Sequence, residues 1–211
     1  MDLWDDRAER PGLHAVLSRR WSERECADVD RAQKELIEEF LPGLDTLDVV
    51  DLGCGIGRLT GWLGRRARRA VGVDRSAGMV RAARRNVAGT RAEVVHASTS
   101  AVPLPSHAFG AVLAVFTLQH VTDEDEFRAS LDEMARLAAP GGRIVIIDGY
   151  ADGEAPVDVS SPRTSTVVRP AAAYESLAAV ADRIALREQT YVNDLYLAQL
   201  WQVRQGERGN P

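Results

Sequence analysis

Apolar residues along this chain fall into two alternating patterns. Short runs with little alternation occupy 47–52, 70–73, 92–96, 111–116 and 143–147. Such runs predict strands buried on both faces, the parallel type. Between them the apolar positions recur at helical spacing. Residues 23–41 carry Val29, Leu36, Ile37, Phe40 and Leu41, and 123–138 carry Phe127, Leu131, Met134 and Leu137, with shorter helices over 57–67 and 76–86. Strands alternating with helices predict right-handed crossovers and a doubly wound α/β sheet with helices on both faces. The pattern changes after Tyr150. A loop rich in Asp, Ser and Pro is expected over 151–165, then a helix over 170–181. Two strands, 184–192 and 195–204, follow, joined at Asn193-Asp194 as an antiparallel hairpin, which makes the sheet seven-stranded. One domain is expected over 1–211, with a helical lid at 1–43, a core at 44–205 and a frayed tail after Gln205. Ser22 followed by Glu25 predicts a capping box at the start of the long lid helix.

The stretch VVDLGCGIGRLT, residues 49–60, organises the rest. A strand ends in Asp51, glycines follow at 53, 55 and 57, and a helix begins. Glycine permits positive φ and lets a ligand approach bare backbone. The N–H groups that open the helix attract acceptors. Three readings compete: a turn that only packs helix on strand, a dinucleotide site, and a site for S-adenosylmethionine (SAM). The dinucleotide fingerprint is GxGxxG. Here the third glycine comes one residue early and Arg58 takes the last place, where close helix–strand contact would exclude it.

Composition narrows the setting. The chain has 211 residues, 45% hydrophobic and 27% charged, with a net charge of −5. That balance argues against nucleic acid as a partner. Two cysteines lack metal-ligand spacing, so no metal is expected. No apolar stretch approaches a membrane span, and the charged first residues do not read as a signal peptide, so no membrane partner and a cytoplasmic location are expected.

From Asp51 to Gly57 the chain resembles the class I SAM-dependent methyltransferases, and the resemblance runs over about 45–205. DLGCGIG is similar to their first motif, and Asp74 of AVGVDRS to the acid that binds the ribose. SAVPLPSHAFGAVLAVFTLQHV is similar to the region of their fourth strand in small-molecule enzymes of the quinone-biosynthesis type. RLAAPGGRIVI resembles the turn before their fifth strand, and VVRPAAAYESLAAVA the helix before their last hairpin. The resemblance implies a Rossmann-like fold and SAM as cofactor. It implies cofactor contacts at Asp51, Gly53, Cys54, Gly55, Gly57, Asp74, Arg75, Met79, Ser98, Thr99, Phe116 and Thr117, with Trp21 of the lid as a cover; Asp51 is read as orienting the glycine turn or as reaching the methionine amino group through water. Asp74 would take two ribose hydroxyls on its two oxygens. Met79 is read equally as core. Two positions depart from the family: Ala97-Ser98 replaces the usual Gly-Asp whose acid bonds the adenine amino group, and Gly110 replaces the usual Asp before the fourth strand.

Methyl transfer needs an aligned nucleophile, exclusion of water and, for some acceptors, a base. His120 and His14 are the candidates for that base. A backbone-bonded structural role is the competing reading for His120. Tyr150 and Tyr191 are candidates for the acceptor's surroundings or for packing, and Arg20, with Trp21, for a cover over the cofactor. With no added module, a small, partly apolar acceptor on O, N or C is expected, a specialised metabolite first, with the protein a monomer or homodimer. The alternative is a SAM-binding protein that does not methylate, a cyclase or a scaffold.

Overall fold

The computed structural model describes residues 3–18, 20–153, 155–160 and 165–205. The tail expected after Gln205, and part of the 151–165 loop, lie outside the described residues. Five strands run parallel: β1 (Asp48–Leu52), β2 (Arg69–Asp74), β3 (Ala92–His96), β4 (Phe109–Val115) and β5 (Ala138–Gly149). A short pair, β6 (Val157–Asp158) and β7 (Val167–Val168), stands apart, within and just after the stretch expected as loop. The last strands, β8 (Ala181–Tyr191) and β9 (Asp194–Val203), pair antiparallel, and β9 also pairs antiparallel with β5. The sheet order is β3-β2-β1-β4-β5-β9-β8. The order reverses between β1 and β4, and the crevice at the carboxyl ends of those strands is where open α/β sheets bind ligands.

Helices α1 (Leu3–Ala8), α2 (Glu23–Phe40), α3 (Arg58–Arg66), α4 (Ala77–Asn86) and α5 (Glu124–Leu137) complete the fold. One core lies where Ile37 and Phe40 of α2 and Leu63 of α3 meet the sheet face of Val49, Leu113 and Val145. The other packs Phe127, Leu131 and Met134 of α5 on Val50, Val112 and Ile144. The apolar runs are therefore buried on both faces, as parallel strands require. The capping box is present: Ser22 Oγ accepts from Glu25 N, and Glu25 Oε2 accepts from Ser22 N.

Three local expectations shift. Residues Ala171–Ala179 form a 3₁₀ run rather than an α-helix; its buried residues, Tyr174 and Leu177, stand three apart, the spacing that a 3₁₀ turn superposes. The hairpin turns at Val192-Asn193, because Tyr191 pairs with Asp194. Pro140 to Gly142 lies inside β5, where the register against β4 shifts. Before the long lid helix, residues 3–18 hold α1 and a 3₁₀ turn at Gly12–Ala15.

Candidate active site

The glycine turn leaves β1 and returns at once into α3. Gly53 and Gly55 take φ of 67° and 54°, values that an L side chain adopts only with strain. A Cβ on Gly53 would collide with Thr117, and one on Gly55 would come within 2.5 Å of Val16 Cγ1. Both glycines line a cavity of about 270 Å³. Gly57 does not line it; a Cβ there would lie 3.1 Å from Ala83, so this glycine serves the packing of α3 on α4. Arg58 turns its guanidinium to Asp30 and Gln33 of α2, 2.7 Å from each, and so ties the lid helix to the turn.

Two acids meet at the turn. Asp51 is buried and accepts from the Thr60 hydroxyl at 2.6 Å. Burial pushes its pKa up to about 6, against the pull of that bond. Asp74 closes β2. Its Oδ2 accepts from Gly55 N at 2.8 Å, and its Oδ1 from Ser76 N at 2.9 Å. A carboxylate oxygen can accept more than one hydrogen bond. Cys54, Arg75, Thr99, Phe116 and Thr117 also line the cavity. Thr117 fixes the end of β4: its Oγ1 donates to Leu52 O at 3.0 Å, and its N–H donates to Asp148.

A second cavity, about 670 Å³, adjoins the first and shares Val16, Phe116 and His120 with it. Its walls include Trp21, Tyr150, Tyr196, Leu195 and Val168, and its polar members are Arg7, Ser18, Arg20, Gln119, Thr166 and Asp194. Phe116 stands at the junction with φ of 57°, a non-glycine residue in the left-handed region. Its ring stacks on Tyr196 at 4.5 Å, and its N–H donates to Ile147 O at 2.7 Å. Packing and a backbone bond hold the strained conformation, as functional sites often require.

His120 faces both cavities. Its Nδ1 donates to Ser165 O at 2.9 Å, which leaves Nε2 as the acceptor nitrogen, with the Gln119 amide 3.3 Å away. Trp4 meets the ring edge-on at 4.9 Å. Enclosure pushes the pKa down to about 4, opposed by the bond to Ser165 and aided by the charge of Arg7. The ring is neutral at pH 7, and the lone pair on Nε2 accepts from the Gln119 amide, whose oxygen accepts from Gly149 N. The loop that carries it is held by Arg169, a buried residue absent from the sequence reading. The Arg169 guanidinium donates to Leu118 O and Val121 O and pairs with Glu124.

Besides Gly57, and Arg20 of the second cavity, four residues expected at the cofactor or as base stand elsewhere. Trp21 lines the second cavity only, because it packs edge-on to Tyr196. Met79 is 1% exposed and lines neither cavity; it is core. His14 bonds Trp21 O at 3.0 Å and lines neither cavity. Ser98 is not on the wall: its hydroxyl donates to Glu126 Oε1 at 3.0 Å. Glu126 itself lines the first cavity. Tyr191, a candidate for the acceptor's surroundings, lines neither, but its ring lies 6.0 Å from Phe116. Among the described residues there is no cluster of His, Cys, Asp and Glu suited to a metal, and no helix long and apolar enough to cross a membrane.

The glycine cradle and the acids suit SAM chemically. Bare backbone at Gly53 and Gly55 leaves the space that Cβ atoms would fill, Asp51 suits a cation, and Asp74 suits hydroxyl donors. Comparison with known proteins agrees. Residues 49–142 match the family described as "Methyltransferase domain". The chain is 38% identical over 101 residues to a demethylmenaquinone methyltransferase of Clavibacter sepedonicus, over 47% of this chain and 40% of that one. It spans about half the length of the curated relatives it matches. A SAM-dependent methyltransferase of Leishmania major superposes with a TM-score of 0.74 at 19% identity, over 94% of this chain and 81% of that one. The [4+2]-cyclase SpnF superposes with a TM-score of 0.72 at 18% identity, over 90% and 86%. At these identities the structural likeness speaks for the fold.

Proposed function

We propose, from the premise that this chain belongs to the class I SAM-dependent methyltransferases, that it transfers the methyl group of SAM to a small, partly apolar acceptor held in the second cavity. The observation that carries this reading is the pair of adjoining cavities. One has a glycine cradle and two acids, the other aromatic walls, and Val16, Phe116 and His120 form the partition.

Bound SAM supplies an activated methyl on a sulfonium, released to the nucleophile as the carbon–sulfur bond breaks. The protein's share is alignment and exclusion of water. Gly53 and Gly55 would admit the methionine part, Asp51 would face its ammonium, and Asp74 would hold the ribose hydroxyls. Trp4, Leu3 and Val16, from the N-terminal segment, close the cofactor side. Phe116, Tyr196 and Trp21 would hold an apolar acceptor by its flat faces. By exchanging the Gln119 amide for the acceptor, His120 Nε2 would accept a hydrogen bond from the acceptor's O–H or N–H and leave the acceptor's own lone pair facing the methyl. With a pKa of about 4, it orients the nucleophile better than it removes a proton.

The acceptor is a specialised metabolite or a quinone precursor; the Clavibacter relative supplies the second class for testing. The protein is incubated with SAM and a panel of phenols, hydroquinones and amines, and products are read by mass spectrometry, with SAM binding measured by calorimetry. A methylated product is expected. Tight SAM binding with no product across the panel would sink the transfer reading and favour a protein that holds SAM without using its methyl.

A further inference from the structure

The acids of the first cavity are unevenly committed. Asp51 is bonded to Thr60, and Asp74 to Gly55 and Ser76. Glu126, in the first turn of α5, reaches the wall where β2 and β3 end, beside Arg75 and Thr99. Its Oε1 accepts from Ser98 Oγ at 3.0 Å and pairs with Arg75 at 3.5 Å. Its Oε2 accepts no hydrogen bond from the described residues. Ser98 holds the carboxylate from behind, and its own Oγ accepts from Ser100 N at 3.3 Å. An acid at 98 would set two carboxylates about one hydrogen bond apart, which costs energy. Serine at 98 and glutamate at 126 therefore form one compatible arrangement.

We propose that Glu126 is the residue that reads the purine of the cofactor: its free oxygen accepts from the exocyclic amino group of adenine, and Ser98 positions it. This rests on the reading that the first cavity holds SAM. An amino group at that place on the purine presents donors that match a carboxylate. A carbonyl oxygen at the same place presents lone pairs and is repelled. The site should then distinguish adenine from hypoxanthine.

Calorimetry with the full chain compares S-adenosylhomocysteine with S-inosylhomocysteine, its deaminated analogue. The wild type is expected to prefer the adenine compound by about ten- to a hundredfold, the range for a hydrogen bond to a charged group. Glu126→Gln and Glu126→Ala are expected to reduce that preference to within about threefold, mainly by weakening the adenine compound. Both sit at a partly exposed helix turn, and melting curves establish that they fold. Ser98→Ala, which leaves the carboxylate but not its support, is expected to fall between. A preference retained in both Glu126 variants would overturn the assignment. Absence of binding of either compound to the wild type would overturn the reading of the cavity and this inference with it, an outcome distinct from the first.

Discussion

Asp51 carries a charge problem that a ligand can solve. Buried beside the glycine turn, it titrates near 6 because losing water costs its anion more than the Thr60 bond returns. A cationic ammonium group brought against it would favour the anion and lower that pKa. Near pH 6 the ligand-free protein holds part of a proton there that the complex gives up. Affinity for SAM should therefore rise as pH rises from about 5 to 7, by up to about tenfold per unit below the ligand-free pKa, and level off above it. Calorimetry at pH 6 in two buffers of different ionisation heat should show a fraction of a proton released, absent in Asp51→Asn. Equal heats in both buffers would uncouple Asp51 from the ligand. The acids and glycines here were legible because they lie within one strand–turn–helix unit and in the strand beside it, where chain chemistry is local. Glu126 and Arg169 were not. Glu126 stands 28 residues from Ser98, and Arg169 reaches Leu118 and Val121 across 51 and 48 residues. Only folding shows such pairings.

At the scale of elements, what could be read depended on where the energy lies. The start of α2 is set by two reciprocal hydrogen bonds within four residues, so Ser22 and Glu25 announced it. Ser22→Ala leaves the N–H of Glu25 without its acceptor on an exposed turn. It is expected to lower unfolding free energy by about 1 kcal/mol, read in denaturant melts; no change would mean that packing of Val29 and Ile37 alone holds the helix. The hairpin is the opposite case. Asn193-Asp194 looked like the turn, yet the chain turns one residue earlier and puts Val192 at φ of 59°. Tyr191 and Tyr196 are both buried against the α2 side of the sheet, and their packing sets the register at the expense of the turn. The 3₁₀ run at 171–179 departs from propensity in the same way: an alanine-rich segment favours an α-helix, yet the chain takes the tighter turn that stacks the buried Tyr174 and Leu177 one above the other.

For the whole molecule, the buried titratable groups set a pH dependence that composition alone would not suggest. Asp148, 1% exposed at the end of β5, accepts from Thr117 N at Oδ1, while its Oδ2 has no hydrogen-bond partner among the described residues. Burial pushes its pKa up to about 7, against the bonds from Gln119 and Thr117. Its folded pKa is raised, as is that of Asp51, so the stability each contributes is whole below the usual carboxylate range. That stability is lost as pH rises through about 6 for Asp51 and about 7 for Asp148. His120 works the other way: its pKa is lowered to about 4, so its contribution is whole above 6.5 and is lost as pH falls toward 4. Surface acids such as Glu39 and Asp48 are held low by hydrogen bonds from Arg187 and Arg68, and they lose stability only in stronger acid. Two groups therefore outweigh one between pH 4 and 6, and Asp148 alone remains between 6.5 and 7. The ligand-free protein should be most stable in mild acid, near pH 4, and should lose stability from about pH 4 to 7, at up to about 1.4 kcal/mol per unit for each group. Asp148→Asn keeps an oxygen for the Thr117 N–H and removes the charge. Its melts should match the wild type only near pH 4 and should exceed it by a margin that grows up to about pH 7 and then stays constant. Parallel curves for the two proteins would place the pH dependence elsewhere in the molecule.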